Sequence, residues 1–81
     1  MKTEEKEQLQ QLFGEVIRKI RMENNLSQIE LAERGDFNRT YISDLERGIK
    51  QASLTTIVRL ADALNIKAEI LVHRFEELRD K

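Results

Sequence analysis

Several residue types are missing or scarce in this chain of 81 residues, and each shortage excludes a class of protein. The absence of cysteine excludes disulfides and thiolate metal sites and is compatible with a reducing compartment. There is no proline, and glycine occurs three times. No apolar run approaches the roughly 20 residues of a membrane span, and the charged start Lys2–Glu7 is not typical of a signal peptide. We therefore expect a cytoplasmic protein with no membrane partner.

The residues that are present favour a small helical globule. Hydrophobic residues make up 40% of the chain and charged residues 36%, which indicates one folded domain spanning residues 1–81. A net charge of −1 does not by itself indicate a nucleic-acid partner. The chain has one histidine, His73, and no glycine-rich phosphate loop. We therefore expect no enzymatic activity, no metal, no cofactor and no small-molecule ligand.

Apolar spacing and capping residues predict five helices and an all-α fold. The clearest local signal is Ser27 with Glu30 three residues later, which is typical of a capping box. The predicted helices run from about Glu5 to Glu23, from Gln28 to about Gly35, from the cap Asn38 to Gly48, from the cap Ser53 to Asn65, and from about Lys67 to Arg79. We expect Ile29 on the second helix and Leu54 on the fourth to face the core.

The second and third helices have the spacing of a helix-turn-helix, since only three or four residues join them. With Ile42 and Leu45 facing the core, the third helix exposes one stripe of hydrogen-bonding side chains: Arg39, Thr40, Ser43, Asp44 and Arg47. A helix fits the major groove of DNA, where arginine can bond both O6 and N7 of guanine. The stripe therefore favours DNA recognition, and the alternative is an ordinary solvated helix face.

Four runs of residues carry a resemblance to a known family. They are Ser27-Gln28-Ile29-Glu30-Leu31-Ala32, Asn38-Arg39-Thr40-Tyr41-Ile42-Ser43-Asp44-Leu45-Glu46-Arg47-Gly48, Ser53-Leu54, and Leu60-Ala61-Asp62-Ala63-Leu64. Together they resemble the lambda-repressor/Cro (Xre-type) helix-turn-helix family over about Phe13–Val72, and Arg39–Ser43 is similar to the controller proteins of restriction–modification systems. The resemblance implies a compact five-helix domain that binds double-stranded DNA as a homodimer, at a palindromic operator.

The resemblance also implies a role for each matching residue. Base reading falls to Arg39, Thr40, Ser43 and Asp44. Contact with the DNA backbone falls to Gln28, Asn38, Tyr41, Arg47, Lys50 and Arg18. Arg21 and Glu46 match a structural ion pair between the first and third helices. Five of these residues keep alternatives. Tyr41 can instead pack against the core, Asp44 can simply repel phosphates, and Arg47, Lys50 and Arg18 can be ordinary surface charges.

The turn departs from the family pattern, which places a small apolar residue and then glycine between the two helices. Here Gly35 comes first and Asp36 follows. Asp36 must therefore make the turn, and aspartate adopts a left-handed backbone less readily than glycine does. We expect slight strain at this point.

The last helix, about residues 67–79, carries apolar residues on more than one face. We expect it to form the dimer interface, with Ile70, Val72 and Phe75 as the contacts. The alternative is that these residues pack on the first helix. A different function also stays open: the fold can serve as a protein-interaction module, such as an antitoxin-like partner.

Overall fold

The computed structural model describes residues 1–81 and contains five helices and no strands. The helices are α1 (Thr3–Glu23), α2 (Gln28–Gly35), α3 (Arg39–Glu46), α4 (Leu54–Ala63) and α5 (Ala68–Arg79). The all-α prediction is confirmed, and α1 begins two residues before the expected Glu5. No helix is both long and apolar enough to cross a membrane.

The turns between helices follow from residues that adopt the left-handed conformation. Asn25, Asp36 and Asn65 have φ values of 58°, 56° and 58°, and Gly48 has a φ of 77° after α3. Asparagine and aspartate adopt this conformation more readily than other residues with a Cβ atom. The predicted end of α1 at Glu23 is confirmed, and α3 and α4 end two residues before the predicted Gly48 and Asn65. Asp36 makes the turn, as expected.

One apolar core joins all five helices. α1 packs against α3 and α5, α2 packs against α3 and α4, and α4 packs against α5. The fully buried side chains are Ile17, Leu31, Ile42, Leu45, Leu60, Leu64 and Leu71. Because Ile42 and Leu45 bury one face of α3, its opposite face is left at the surface.

Two residues predicted to lie in the core are at the surface instead. Leu54 is 77% exposed and Ile29 is 52% exposed. Each lies in the first turn of its helix, and the following residues, Leu31 on α2 and Leu60 on α4, supply the buried contacts. The prediction for Leu54 and Ile29 was wrong because apolar spacing does not show whether other helices cover a given side chain.

Candidate DNA interface

Local hydrogen bonds fix where α2 and α3 begin. Ser27 Oγ accepts from the Glu30 backbone N–H at 3.0 Å, and Glu30 Oε1 accepts from the Ser27 backbone N–H at 2.9 Å. The hydrogen bond from Ser27 lowers the pKa of Glu30. Asn38 Oδ1 accepts from the Thr40 backbone N–H at 2.7 Å and caps α3. The predicted capping box is confirmed, and both helices therefore start at defined residues.

The exposed face of α3 contains one arginine without a partner and one that is paired. Arg39 and Thr40 are exposed in its first turn, and Arg39 makes no hydrogen bond or ion pair. Arg47 Nη2 donates to Asp44 Oδ1 at 2.7 Å. The second oxygen of the Asp44 carboxylate has no partner, and Ser43 beside it is half-buried. This face therefore offers one unpaired guanidinium, hydroxyl groups and one carboxylate oxygen.

The residues assigned to the DNA backbone surround α3. Some of them already have hydrogen-bond partners within the protein, and others have none. Arg18 and Lys50 are exposed and have no ion-pair partner. Gln28 Nε2 donates to Glu46 Oε1 at 3.1 Å, so part of its amide is already engaged. The Tyr41 hydroxyl lies 3.4 Å from Thr56 Oγ1, and its ring stacks on Phe37. Tyr41 is thus packed against the core, with its hydroxyl near the start of α4.

An ion pair ties α1 to the end of α3. Arg21 Nε donates to Glu46 Oε2 at 2.6 Å, and Arg21 Nη2 donates to Glu46 Oε1 at 2.9 Å. The third guanidinium nitrogen, Nη1, donates to the Leu26 carbonyl at 2.7 Å. The side chains are only 12% and 4% exposed, and the hydrogen bond to Glu46 raises the pKa of Arg21. The structure thus brings Arg21 and Glu46 together between α1 and the end of α3.

A close approach of two backbones holds the same end of α3. A Cβ atom added at Gly14 on α1 would lie 2.3 Å from the Leu45 carbonyl oxygen and 2.6 Å from that of Glu46. These atoms belong to the backbone, which cannot rotate away as a side chain can. Only glycine fits at this crossing, and α1 therefore sets the position of α3 directly.

A family model described as Helix-turn-helix matches residues 17–71 of this chain, which is most of its length. The chain belongs to this family. The predicted Xre-type resemblance is confirmed, and so is its similarity to controller proteins of restriction–modification systems. This member is a DNA-binding transcriptional regulator of the controller-protein type.

Three proteins that are similar to this chain are control or controller proteins. Control protein C.BamHI from Bacillus amyloliquefaciens is 44% identical over 75% of this chain and 76% of its own. The crystal structure of the restriction-modification controller protein C.AhdI from Aeromonas hydrophila gives a TM-score of 0.74 at 37% identity, covering 76% of this chain and 94% of its own. The C.Esp1396I tetramer, solved with its natural 35 base-pair operator, gives a TM-score of 0.85 at 26% identity, covering 90% and 96%.

The last helix of this chain, α5, has exposed apolar side chains on two of its sides. Ile70 is 44% exposed and Val72 is 42% exposed. Residues two apart on a helix project about 200° from each other, so these two face opposite sides of α5. Phe75 is half-buried, with its ring edge against Phe13 and the centroids 6.2 Å apart. Phe75 packs on α1 and also lines a cavity of about 300 Å³ with Val72 and Ile57.

Sequence reasoning missed one residue beside the turn of the helix-turn-helix. Arg59 on α4 is exposed, yet its Nη2 atom donates to the carbonyls of Gly35 and Asp36 at 2.8 and 2.7 Å. Its guanidinium carbon lies 4.3 Å from the centroid of the Phe37 ring. No local pattern in the sequence indicates this contact, because more than 20 residues separate Arg59 from the turn.

Proposed function

We propose that this regulator binds a palindromic DNA operator as a homodimer, with α3 in the major groove. The observation that carries the proposal is the unpaired Arg39 in the first turn of a capped, outward-facing helix. Recognition helices most often contact bases through their N-terminal residues, and arginine pairs with guanine O6 and N7. We place the protein in the cytoplasm, where it meets its DNA.

In this arrangement, the other base contacts come from Thr40, Ser43 and Asp44. Thr40 and Ser43 can donate to or accept from several base edges. Asp44 keeps one carboxylate oxygen unengaged while the other holds Arg47, so it can accept from cytosine N4 without releasing Arg47. Asp44 therefore favours a cytosine at its position in the operator.

The contacts to phosphates surround this groove-facing surface. Gln28 at the start of α2 and Asn38 at the start of α3 lie beside free backbone N–H groups, which attract anions. Arg18, Arg47 and Lys50 supply positive charge, and Tyr41 supplies a hydroxyl. These contacts position the protein on the duplex and carry no sequence preference of their own.

We infer that the dimer forms through one side of α5, because this helix leaves apolar side chains exposed. Half-sites one DNA turn apart require the dimer to hold its two recognition helices about 34 Å apart. The Val72 side is favoured over the Ile70 side, because Val72 and Ile57 line the same cavity. Leu54, one turn before Ile57 on α4, adds exposed apolar surface beside it. Phe75, half-buried against Phe13, lines the same side, and exposed Ile70 is the remaining candidate contact, on the other side of α5.

The C.Esp1396I tetramer, crystallised on its own operator, supports the idea that such a chain assembles on DNA. Sedimentation of the purified regulator at tens of micromolar tests the solution state. A dimer agrees with the proposal, whereas a monomer at that concentration contradicts it.

Selection from a randomised duplex library tests DNA recognition. We expect a palindrome with half-sites about one turn, or 10–10.5 base pairs, apart. Arg39→Ala should lose about 1–3 kcal/mol of affinity for the selected duplex and relax one base position. Arg34→Ala is the matched control, because Arg34 is an exposed arginine on α2 with no hydrogen-bond partner. Failure of a folded protein to enrich any duplex would favour the protein-interaction module instead.

A further inference from the structure

The turn between α2 and α3 has two features that need support from outside the turn. Asp36 has a φ of 56°, a conformation that favours glycine. The carbonyls of Gly35 and Asp36 lie at the C-terminal end of α2, where no further helical turn supplies donors and the helix dipole is negative. A basic side chain can donate hydrogen bonds to these last carbonyls and interacts favourably with the helix dipole.

Arg59 supplies that cation from α4. One nitrogen, Nη2, donates to both carbonyls at 2.8 and 2.7 Å. Hydrogen bonds from an ionised donor are stronger than those between neutral groups. Although exposed, the Arg59 guanidinium is therefore directed at the turn.

Phe37 extends this contact to the recognition helix. Its ring lies under the Arg59 guanidinium and is stacked with Tyr41 in the first turn of α3, with centroids 5.9 Å apart and planes inclined by 29°. The ring also rests directly on Gly35, where an added Cβ would lie 2.4 Å from a ring atom. Arg59, Phe37 and Tyr41 thus form a continuous stack from α4 through the turn to α3.

We propose that Arg59 is a positioning residue for base recognition. Arg59 holds both carbonyls of the turn between α2 and α3 and also the face of Phe37. It thereby fixes the direction in which α3 begins, and with it the position of Arg39. This role rests on the proposed function, because it matters to DNA only if α3 reads bases. The same contact also accounts for how this turn accommodates Asp36 at the left-handed position, where the family pattern has glycine.

Amide hydrogen exchange tests whether Arg59 holds the turn. The Phe37 N–H donates to the Ala32 carbonyl at 2.7 Å across the turn. Arg59→Met keeps an apolar stem and removes the donors, so we expect protection of the Phe37 amide to fall about tenfold or more. Protection of the Leu64 amide, which follows α4 and donates to the Leu60 carbonyl, should not change. Unchanged protection at Phe37, or an equal loss at both amides, would overturn the proposal.

Titration with DNA tests whether holding the turn serves base recognition. Arg59→Met should weaken binding to the duplex that the wild type selects by about tenfold, yet bind a random-sequence duplex as Arg34→Met does. Arg34→Met is the control because it removes the same charge from another exposed position. If Arg59 instead contacts a phosphate, Arg59→Met should reduce the salt dependence of binding to both duplexes by the equivalent of about one phosphate contact. That result would overturn the positioning role.

The two proposals fail in different ways. If the wild type selects no duplex, the proposed function fails and the positioning role fails with it. If the wild type selects a duplex and Arg59→Met binds it equally well, only the positioning role is wrong.

Discussion

The buried pair of Arg21 and Glu46 gives the sharpest test of how α3 is held. Arg21→Met leaves the Glu46 carboxylate, which is 4% exposed, with only the hydrogen bond from Gln28. Glu46→Leu leaves the guanidinium, which is 12% exposed, with only the Leu26 carbonyl. Removing one partner of a buried pair costs about 3–5 kcal/mol, because the other charge stays buried without compensation.

The double substitution removes both charges and should recover most of that loss. What it still lacks is a donor for the Leu26 carbonyl and an acceptor for the half-buried Gln28 amide, together worth about 1–2 kcal/mol. We therefore expect each single variant to lose about 3 kcal/mol, the double variant less than either, and a coupling energy of about 3 kcal/mol or more. For a domain of this size, the single variants should melt roughly 12–24 °C lower.

Urea and thermal unfolding of the four proteins near neutral pH measure this cycle. A matched control is Arg74→Met, because Arg74 makes a similar two-pronged contact with Glu23 but at an exposed position, with side chains 34% and 55% exposed. Exposed pairs contribute little, so Arg74→Met should change stability much less than Arg21→Met. Additive losses in the Arg21 and Glu46 cycle, or equal losses for Arg74→Met and Arg21→Met, would refute the reasoning.

Two further predictions concern α1 and the cap of α2. Gly14→Ala should destabilise the fold by about 1–3 kcal/mol in urea unfolding, because the new Cβ atom would collide with the Leu45 and Glu46 carbonyls. Helix propensity alone predicts a gain in stability instead, and such a gain would contradict this reasoning. Glu30→Gln should lower the melting temperature at neutral pH but not in acid, because hydrogen bonding with Ser27 holds the folded-state pKa of Glu30 below its usual 4.5. That stabilisation is present above the unfolded-state pKa and lost as the pH falls through the folded-state value, so an equal difference at both pH values would count against it.

The parts of this structure that the sequence predicted depend on neighbouring residues. The capping box at Ser27, the cap at Asn38 and the left-handed turn at Asn65 each depend on residues within a few positions along the chain. Their chemistry is visible in the sequence because a cap or turn residue acts on its own backbone or on the next few N–H groups. Helix boundaries were therefore predicted closely.

The parts that it could not predict depend on distant contacts. Gly14 looks like an interruption within a helix until the α3 backbone is placed against it. Arg59 looks like a solvated charge until the turn lies beside it. Leu54 follows the apolar spacing of α4, yet the structure leaves it exposed. Periodicity shows which face of a helix is apolar, and only the packed structure shows how much of that face is covered.

The contact between the first and last helices also determines when the protein can fold. α1 packs on α5, and Leu71 of α5 is fully buried in the shared core. The core is therefore incomplete until Leu71 has been synthesised, and until then the part of α1 that packs on α5 stays uncovered. After that point little delays folding, because the chain has no proline bond to isomerise and its helices form in about a microsecond. Folding of the chain is therefore paced by the synthesis of α5 and not by a slow step within the polypeptide.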